Sequence, residues 1–391
     1  MLIKPKKKHQ SILVYKSYGG LGDIFFTIPS LYLLKQQFES VTFATQSRLV
    51  RLFRSNLNDI TVISENDAVE SNYDTVIELG NYPHFNNDAE KHPQIVYHTH
   101  KKVKQHSIEH YKDGITATFP SIIKTNVRFP YFKRKQSSEL YYTVHAGAGF
   151  ILKAWPITNF ANLIELIAQQ YPNLKAKLII GPNDPNPEYY FTKKDLNYEL
   201  ITGDIDEVAD VISGAQFHIG NDAGITHLAG AFNIPILTIY GPTGPGSWGA
   251  FSENVELIWG KKGNCNIRCR YEIIVSCPDR VCLSNVSPKK MMFSLYKLLN
   301  RIHQSDSTYY VLNPDFTLTI ATDYLIFKSK DNEYLIEITD ETSQEFVNSK
   351  LNSEGIDIAT MPEQFDEVFN AFIQLDLFEK VPSTVFPKNI A

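Results

Sequence analysis

SILVYKSYGGLGDIFFTIPSLYLLK, residues 11–35, is the stretch whose reading decides the fold. SILVY (11–15) is a short apolar run of the kind buried on both faces of a parallel sheet. The glycine-rich turn Tyr18-Gly19-Gly20-Leu21-Gly22-Asp23 follows it directly. Ile28, Leu31, Leu34 and Phe38 then recur at helical spacing behind Pro29, a residue suited to a first helical turn. Strand, tight turn and helix in that order predict the opening βα unit of an α/β fold. Such folds bind ligands beyond the carboxyl ends of their strands, so the turns are where chemistry is sought.

Working outward, VTFAT (41–45), TVIEL (75–79) and QIVYH (94–98) read as further strands. The pattern restarts after the polar, basic stretch near Lys133–Ser138, where YYTVHAG reads as a strand entering a second glycine-rich turn. A helix marked by Ile157, Phe160, Ile164, Ile167 and Tyr171 follows, then the strand AKLIIG (176–181), the helix IDEVADVIS (205–213), and the strands QFHIGN and IPILTIYG (234–241). Two Rossmann-like halves are expected, over 1–137 and 138–303. Beyond the helix PKKMMFSLYKLLNRI (288–302) the grammar changes. TLTIATDYLIFKS and EYLIEIT suggest antiparallel strands, SQEFVNSKL and PEQFDEVFNAFIQL helices, so 304–391 is expected to be a small α+β extension.

With 391 residues, 43% hydrophobic and 21% charged, the chain is expected to be a soluble globular protein of two or three domains, and disorder, collagen and coiled coil are excluded. The net charge of −5 gives no general attraction to nucleic acid. Charge is unevenly spread: residues 304–391 carry 16 acidic side chains against 5 Lys and no Arg, a net of −11, and the remainder carries +6. That segment has no Cys or His and a single glycine, Gly355, which suits docking or self-assembly better than phosphate binding. The start MLIKPKKKHQ has no apolar run behind it, and no stretch approaches the ~18 apolar residues of a spanning helix. A cytoplasmic location is expected, with Lys4, Lys6, Lys7 and Lys8 either touching anionic lipid or forming a solvated terminus.

Four turns carry unusual residues. In the first, Gly20-Leu21-Gly22 resembles the start of a dinucleotide fingerprint, but its third glycine falls at Phe25, which disfavours a nicotinamide or flavin enzyme. Asp23 there is either a general base for a hydroxyl or a helix cap. The second turn, His145-Ala146-Gly147-Ala148-Gly149, precedes Lys153, which either faces an oxyanion or is an ordinary surface lysine. In the third, Gly220 to Ala229, the amides of Gly224, Ile225 and Thr226 at a helix start suit an anion. Asp222 either bonds a sugar hydroxyl or caps, and His227 is either a phosphate donor or a core histidine. The fourth, Gly241 to Gly246, is a stiff turn or places Thr243 as a diphosphate contact.

GGLGDIFFTIPSLYLLK, VHAGAGFILKAWP and GNDAGITHLAGAFNIPILTIYGPTGPGSWG, in this order and spacing, resemble glycosyltransferase family 9, the heptosyltransferases of lipopolysaccharide core synthesis. The resemblance covers about the first three quarters of the chain. It implies a GT-B architecture, two Rossmann-like domains facing a cleft, with acceptor on the first and nucleotide-sugar on the second. It also implies inverting transfer from ADP-heptose to a hydroxyl of a lipid-linked saccharide or a polypeptide, peripherally at the inner face of the inner membrane. Carried onto matching positions, the base is Asp23, the phosphate-binding lysine is Lys153, and the donor loop is Asp222, Gly224, Thr226 and His227, with Thr243 beside it; Gly20, Gly22 and Gly147 allow backbone close to ligand. No Asp-x-Asp motif stands at these four turns, so no catalytic metal is expected and Lys153 with the helix amides supplies the positive field. Ala223 departs from the threonine or serine often found there.

Cys265, Cys269, Cys277 and Cys282 are separated by three, seven and four residues within the loop 264–283. Clustered thiols in a cytoplasmic chain argue for a structural zinc or iron, with free thiols or disulfides as alternatives. Competing functions are a nucleotide-dependent oxidoreductase or epimerase, and a non-catalytic binding protein that works through its acidic tail.

Overall fold

The computed structural model describes residues 9–69, 72–80, 95–96, 105–182, 184, 191, 196–261, 265, 269, 277, 280–303, 307–321, 324–359 and 361–382. The first sheet is parallel, in the order β3-β2-β1-β4-β5, from β1 (His9–Lys16), β2 (Phe38–Thr45), β3 (Thr61–Ser64), β4 (Thr75–Gly80) and β5 (Ile95–Val96). Val14 of the central β1 lies between Phe43 and Ile77, fully buried, as a two-faced parallel sheet requires. Around it stand α1 (Leu21–Phe25), α2 (Ile28–Leu34), α3 (Val50–Asn56) and α4 (Ser107–Thr118).

One expectation is corrected here. Phe38 does not belong to the helix of Ile28, Leu31 and Leu34, which ends at Leu34; it opens β2 and packs edge-on to Phe119 at 5.4 Å. An apolar residue four places past a helical stripe satisfies a helix face and a strand's first position equally, and only the distant Phe119 decides between them. Of the strand expected over 94–98, the pair Ile95–Val96 is seen and the rest lies outside the described residues.

The second sheet is also parallel, in the order β11-β10-β9-β6-β7-β8. Its strands are β6 (Tyr141–His145), β7 (Lys175–Ile179), β8 (Tyr198–Ile201), β9 (His218–Asn221), β10 (Ile236–Tyr240) and β11 (Val255–Trp259). Flanking helices are α5 (Ile157–Gln170), α6 (Ile205–Ser213), α7 (Gly224–Ala231), the short α8 (Pro245–Trp248) and α9 (Val281–Ser284), and α10 (Pro288–Ile302). In each sheet the chain builds outward from the first strand, then returns to its other side, so β1/β4 and β6/β9 are switch points where loops diverge and leave a crevice. That topology brings residues 146–153 beside residues 221–223, some seventy positions apart.

The acidic segment forms two antiparallel sheets, β16-β12-β17 and β13-β14-β15. They comprise β12 (Tyr309–Leu312), β13 (Thr317–Ile320), β14 (Tyr324–Lys328), β15 (Glu333–Glu337), β16 (Gly355–Asp357) and β17 (Phe378–Lys380), with α11 (Glu341–Lys350) and α12 (Asp366–Gln374) packed over a core of its own that includes Phe327, Phe365, Phe372 and Phe378. The expected α+β character is observed.

One apolar cluster runs from the first sheet through Phe129 and Phe132 of the connection into α6 and α7 of the second half. Phe132 lies 6.0 Å from Phe25, 5.8 Å from Phe129 and 5.5 Å from Phe232, while its amide donates to Ala231 O. The halves therefore share a core rather than touching at a wet seam. Truncating Phe132 to Ala is expected to lower the free energy of unfolding by about 3–5 kcal/mol. Urea denaturation followed by aromatic fluorescence is expected to show both halves losing stability together.

Candidate active site

The first turn leaves β1 at Lys16. Gly19 stands at φ 109°, a conformation that favours glycine, and Gln46 Nε2 donates to Ser17 O and Gly19 O, tying the turn to the end of β2. Asp23 is the third residue of α1, and its Oδ2 accepts from Gly20 N–H at 2.9 Å. The carboxylate thus closes the helix start from within and stays half-exposed at the mouth of the crevice. Phe25 is fully buried against Phe53, so an aromatic ring fills the place where a dinucleotide fingerprint needs its third glycine.

Across the crevice, Asn221 is one residue that the sequence reading missed. Wholly buried at the end of β9, it donates from Nδ2 to Ala146 O and Gly147 O and accepts Trp155 N–H on Oδ1, each at 2.9 Å. It staples the second turn to the third and fixes Lys153, which precedes Trp155. Lys153 Nζ stands 2.9 Å from Asp222 Oδ2, which also accepts the Thr243 hydroxyl. Asp222 is 6% exposed, whereas the Lys153 side chain keeps 29% exposure, so the ammonium retains donors for a ligand. Lys153, Asp222 and Thr243, read separately from three turns, form one cluster.

Other sequence-singled residues take different places. His227 is buried, its Nε2 3.9 Å from Asp222 Oδ1, with Phe26 edge-on at 4.8 Å and Phe251 stacked at 6.1 Å. Burial drives its pKa down to about 4, overriding the pull of Asp222. Thr226 is a correction: its amide bonds Ala223 O in a tight first turn and its hydroxyl bonds Asn221 O, so Gly224 and Ile225 are left as the helix-start amides. Gly22 and Gly224 are packing glycines. A side chain on Gly22 would begin 2.5 Å from His227 Cδ2, and one on Gly224 2.7 Å from Leu21 Cβ. Through them α1 of the first half lies directly on α7 of the second, and Asp23 is held one residue from that contact.

Gly147 has a similar constraint. A side chain there would collide with Asp184, whose Oδ2 is 3.0 Å from His145 Nε2 and accepts Gly181 N–H. Burial pushes the Asp184 carboxyl up, but the His145 contact and that amide bring it below its usual range. A further bond between the halves comes from His106 at the start of α4. Its Nε2 pairs with Gly249 O at 2.9 Å while Nδ1 accepts Ile108 N–H, so the proton sits on Nε2 and the ring is neutral.

Cys265, Cys269, Cys277 and Cys282 form no disulfide among the described residues, and Lys261 Nζ donates to Cys269 Sγ. Burial, then the neighbouring Cys269, Cys265 and Cys277, raise the Cys282 thiol to about 11. Among the described residues no group of three or more Cys, His, Asp or Glu is arranged to hold a metal ion, and most of the loop between the thiols lies outside them.

Two parallel sheets thus turn their ligand ends toward one crevice, with a carboxylate on one side and a lysine anchored by a buried aspartate on the other. The profile of glycosyltransferase family 9 (heptosyltransferase) matches residues 42–275, and the chain belongs to that family. Lipopolysaccharide heptosyltransferase 1 of Campylobacter coli is 35% identical over 130 residues, 30% of this chain and 37% of the relative. The chain spans about a third of the length of the curated relatives it matches. Among solved structures, the family 9 glycosyltransferase of Veillonella parvula superposes with a TM-score of 0.62 at 16% identity, over 76% of this chain and 99% of that one. Escherichia coli ADP-heptose lipopolysaccharide heptosyltransferase II superposes with a TM-score of 0.56 at 15% identity, over 75% and 99%. The fold is GT-B, with the acidic unit added to it.

His218 is also a buried ring, pushed down to about 3 by burial and by His145, with Nδ1 3.0 Å from the Thr143 hydroxyl oxygen. Both His218 and His227 bind protons in the unfolded chain below about pH 6.5 but not in the fold until their lowered values are reached. Stability is therefore expected to fall from pH 6.5 toward pH 4, by about 2 kcal/mol per histidine at pH 5. Urea unfolding at pH 7 and pH 5 checks this, and His218→Gln is expected to flatten the slope.

Proposed function

We propose that the chain is an inverting glycosyltransferase that moves heptose from a nucleotide-sugar, ADP-heptose, to a hydroxyl of a cell-envelope saccharide such as lipopolysaccharide core. The observation that carries this reading is the Lys153–Asp222–Thr243 cluster at one switch point, opposite Asp23 at the other. Residues 1–137 take the acceptor, residues 138–303 take the nucleotide-sugar, and residues 304–391 form a separate unit.

In the reaction, Asp23 accepts the proton of the acceptor hydroxyl while that oxygen forms the new bond to the sugar's anomeric carbon. The bond from that carbon to the diphosphate oxygen breaks, and its electron pair leaves with the diphosphate. Lys153 and the amides of Gly224 and Ile225 meet the charge that accumulates there, and the dipole of α7 adds to them. Thr243 donates its hydroxyl to Asp222 and so helps hold the carboxylate that anchors Lys153. Asp222 fixes Lys153 and meets a sugar hydroxyl. The oxidoreductase alternative is not favoured, in keeping with Phe25 at the fingerprint position.

Among the described residues no helix is long and apolar enough to cross a membrane, and we propose peripheral work at the inner face of the inner membrane on a lipid-linked acceptor. The cysteine loop stands outside the chemistry. Any zinc or iron held there is structural, since four thiolates leave no open position. Elemental analysis of chelator-free protein is expected to find either about one metal per chain or four titratable thiols.

Lys153→Ala is expected to lower kcat by about 10²–10³, or ~2.7–4 kcal/mol, with acceptor KM little changed. Asp23→Asn is expected to bind ADP, seen as a thermal shift, yet lose turnover. Steady-state kinetics with ADP-heptose provide the check, and wild-type turnover in either variant removes that residue from its role.

A further inference from the structure

The loop that leaves β2 holds a cation that no carboxylate answers. Gln46 Nε2 donates to Ser17 O at 2.7 Å and to Gly19 O at 3.1 Å, the two carbonyls that flank Tyr18 in the first turn. The oxygen of the same amide is taken by Arg48, whose Nε donates to Gln46 Oε1 at 2.9 Å. From there the turn leads directly to Asp23, because Gly20 N–H donates to Asp23 Oδ2 at 2.9 Å. Arg48, Gln46, the turn and Asp23 are therefore joined by consecutive hydrogen bonds at the carboxyl ends of the paired strands β1 and β2.

Other cations of the first half have acidic partners: Lys35 meets Asp59 at 3.3 Å, Lys112 meets Glu109 at 2.8 Å, and Lys124 meets Glu109 and Asp113. Arg48 differs. It is exposed, it pairs with no carboxylate among the described residues, and the group that holds it is a neutral amide. Of the five N–H donors of a guanidinium only the Nε one is used, so both terminal nitrogens keep theirs. That planar fork matches two oxygens of a carboxylate or phosphate. Fixing the side chain beforehand removes part of the ordering cost that binding would otherwise carry. Tyr18, 51% exposed between the two carbonyls that Gln46 holds, adds an aromatic ring at the same lip.

We infer that Arg48 is a specificity residue for the acceptor: its terminal nitrogens take a carboxylate or phosphate carried near the reacting hydroxyl, and Gln46 ties that grip to the turn that holds Asp23. The acceptor is then an anionic saccharide, not a neutral one. The inference rests on the proposed glycosyl transfer with the acceptor on the first half.

Wild type, Arg48→Gln and Arg48→Lys are compared in the full chain, with the O-deacylated saccharide of a heptose-free lipopolysaccharide as acceptor. Three forms of it are used: untreated, with its carboxylates amidated, and with its phosphates removed. On the untreated form Arg48→Gln is expected to raise the acceptor KM by about 10–100-fold, with kcat and the KM for ADP-heptose within about threefold. Arg48→Lys is expected to recover part of this, since the charge remains and the fork is lost. On one treated form wild type is expected to lose affinity by a similar factor and Arg48→Gln to cost less than about twofold more, which tells carboxylate from phosphate. A cost that persists on both treated forms, a fall in kcat with acceptor KM unmoved, or no cost at all overturns the inference; the first two are the marks of a residue that only props the turn. Calorimetric binding of the untreated saccharide without donor separates this inference from the transfer reaction. A Kd about tenfold higher in Arg48→Gln, in a chain whose wild type transfers no heptose, removes the proposed function and keeps the anion site. A Kd unmoved by Arg48→Gln, or no binding by wild type, removes the site whatever the transfer assay shows.

Discussion

A carboxylate almost out of water, Asp222, is what the second half's side of the crevice depends on. Taking such a group into the interior costs several kcal/mol, and the cost is offset only where geometry supplies a cation and further hydrogen bonds. Lys153 and Thr243 do this from two other loops, so one buried charge draws three turns to a single point. Lys153 is then held in place by the fold itself. A lysine ordered in advance gives more to a transition state than one that must be ordered during the reaction, because its reorientation has been settled by the fold. The Asn221 amide performs the same service for the backbone, since three hydrogen bonds lock the path from Ala146 to Trp155.

The two parallel sheets were legible because strand, turn and helix alternate in a pattern that needs no tertiary information, and Asp23, Lys153, Asp222 and Thr243 were legible because each follows a strand at a turn. What the sequence could not show is what each side chain faces. Gly22 and Gly224 look like ligand glycines, but their missing side chains make room for His227 and Leu21. Thr226 looks like a ligand contact, and its hydroxyl points back to Asn221 O. Asn221, Asp184 and Lys16 have no local signal at all. Their partners stand 75 residues away for Ala146, 39 for His145 and 95 for Tyr111, and a one-dimensional reading cannot pair them.

The charge asymmetry along the chain has a structural answer. The acidic C-terminal unit docks on α10, whose exposed face is basic: Lys290 meets Asp315 at 2.7 Å, Lys297 meets Asp376, and Asn300 Nδ2 donates to Glu379 at 2.7 Å. Burial holds the Glu379 and Glu256 carboxyls above their usual range at this seam. Part of the negative charge that suggested a docking surface for another molecule is thus used within the chain, while the unit's own phenylalanine core makes it a body in its own right.

The shared aromatic core sets a limit on how the two halves move. A GT-B crevice that opens about a wet hinge costs little, but here Phe129, Phe132, Phe232 and Phe251 bridge the halves, and separating them would expose several aromatic rings to water. Each such ring contributes on the order of 1.5–3 kcal/mol by burial. The contact of Gly22 with His227, and the neutral His106 bonded to Gly249 O, lie between that core and the ligand groups. Any opening that admits substrate must then pivot about the core and leave it closed, so Asp23, one residue from the pivot contact, moves less than the rim of the crevice. A carboxylate near the pivot and an anchored lysine opposite then keep their mutual geometry nearly constant while the mouth opens and closes.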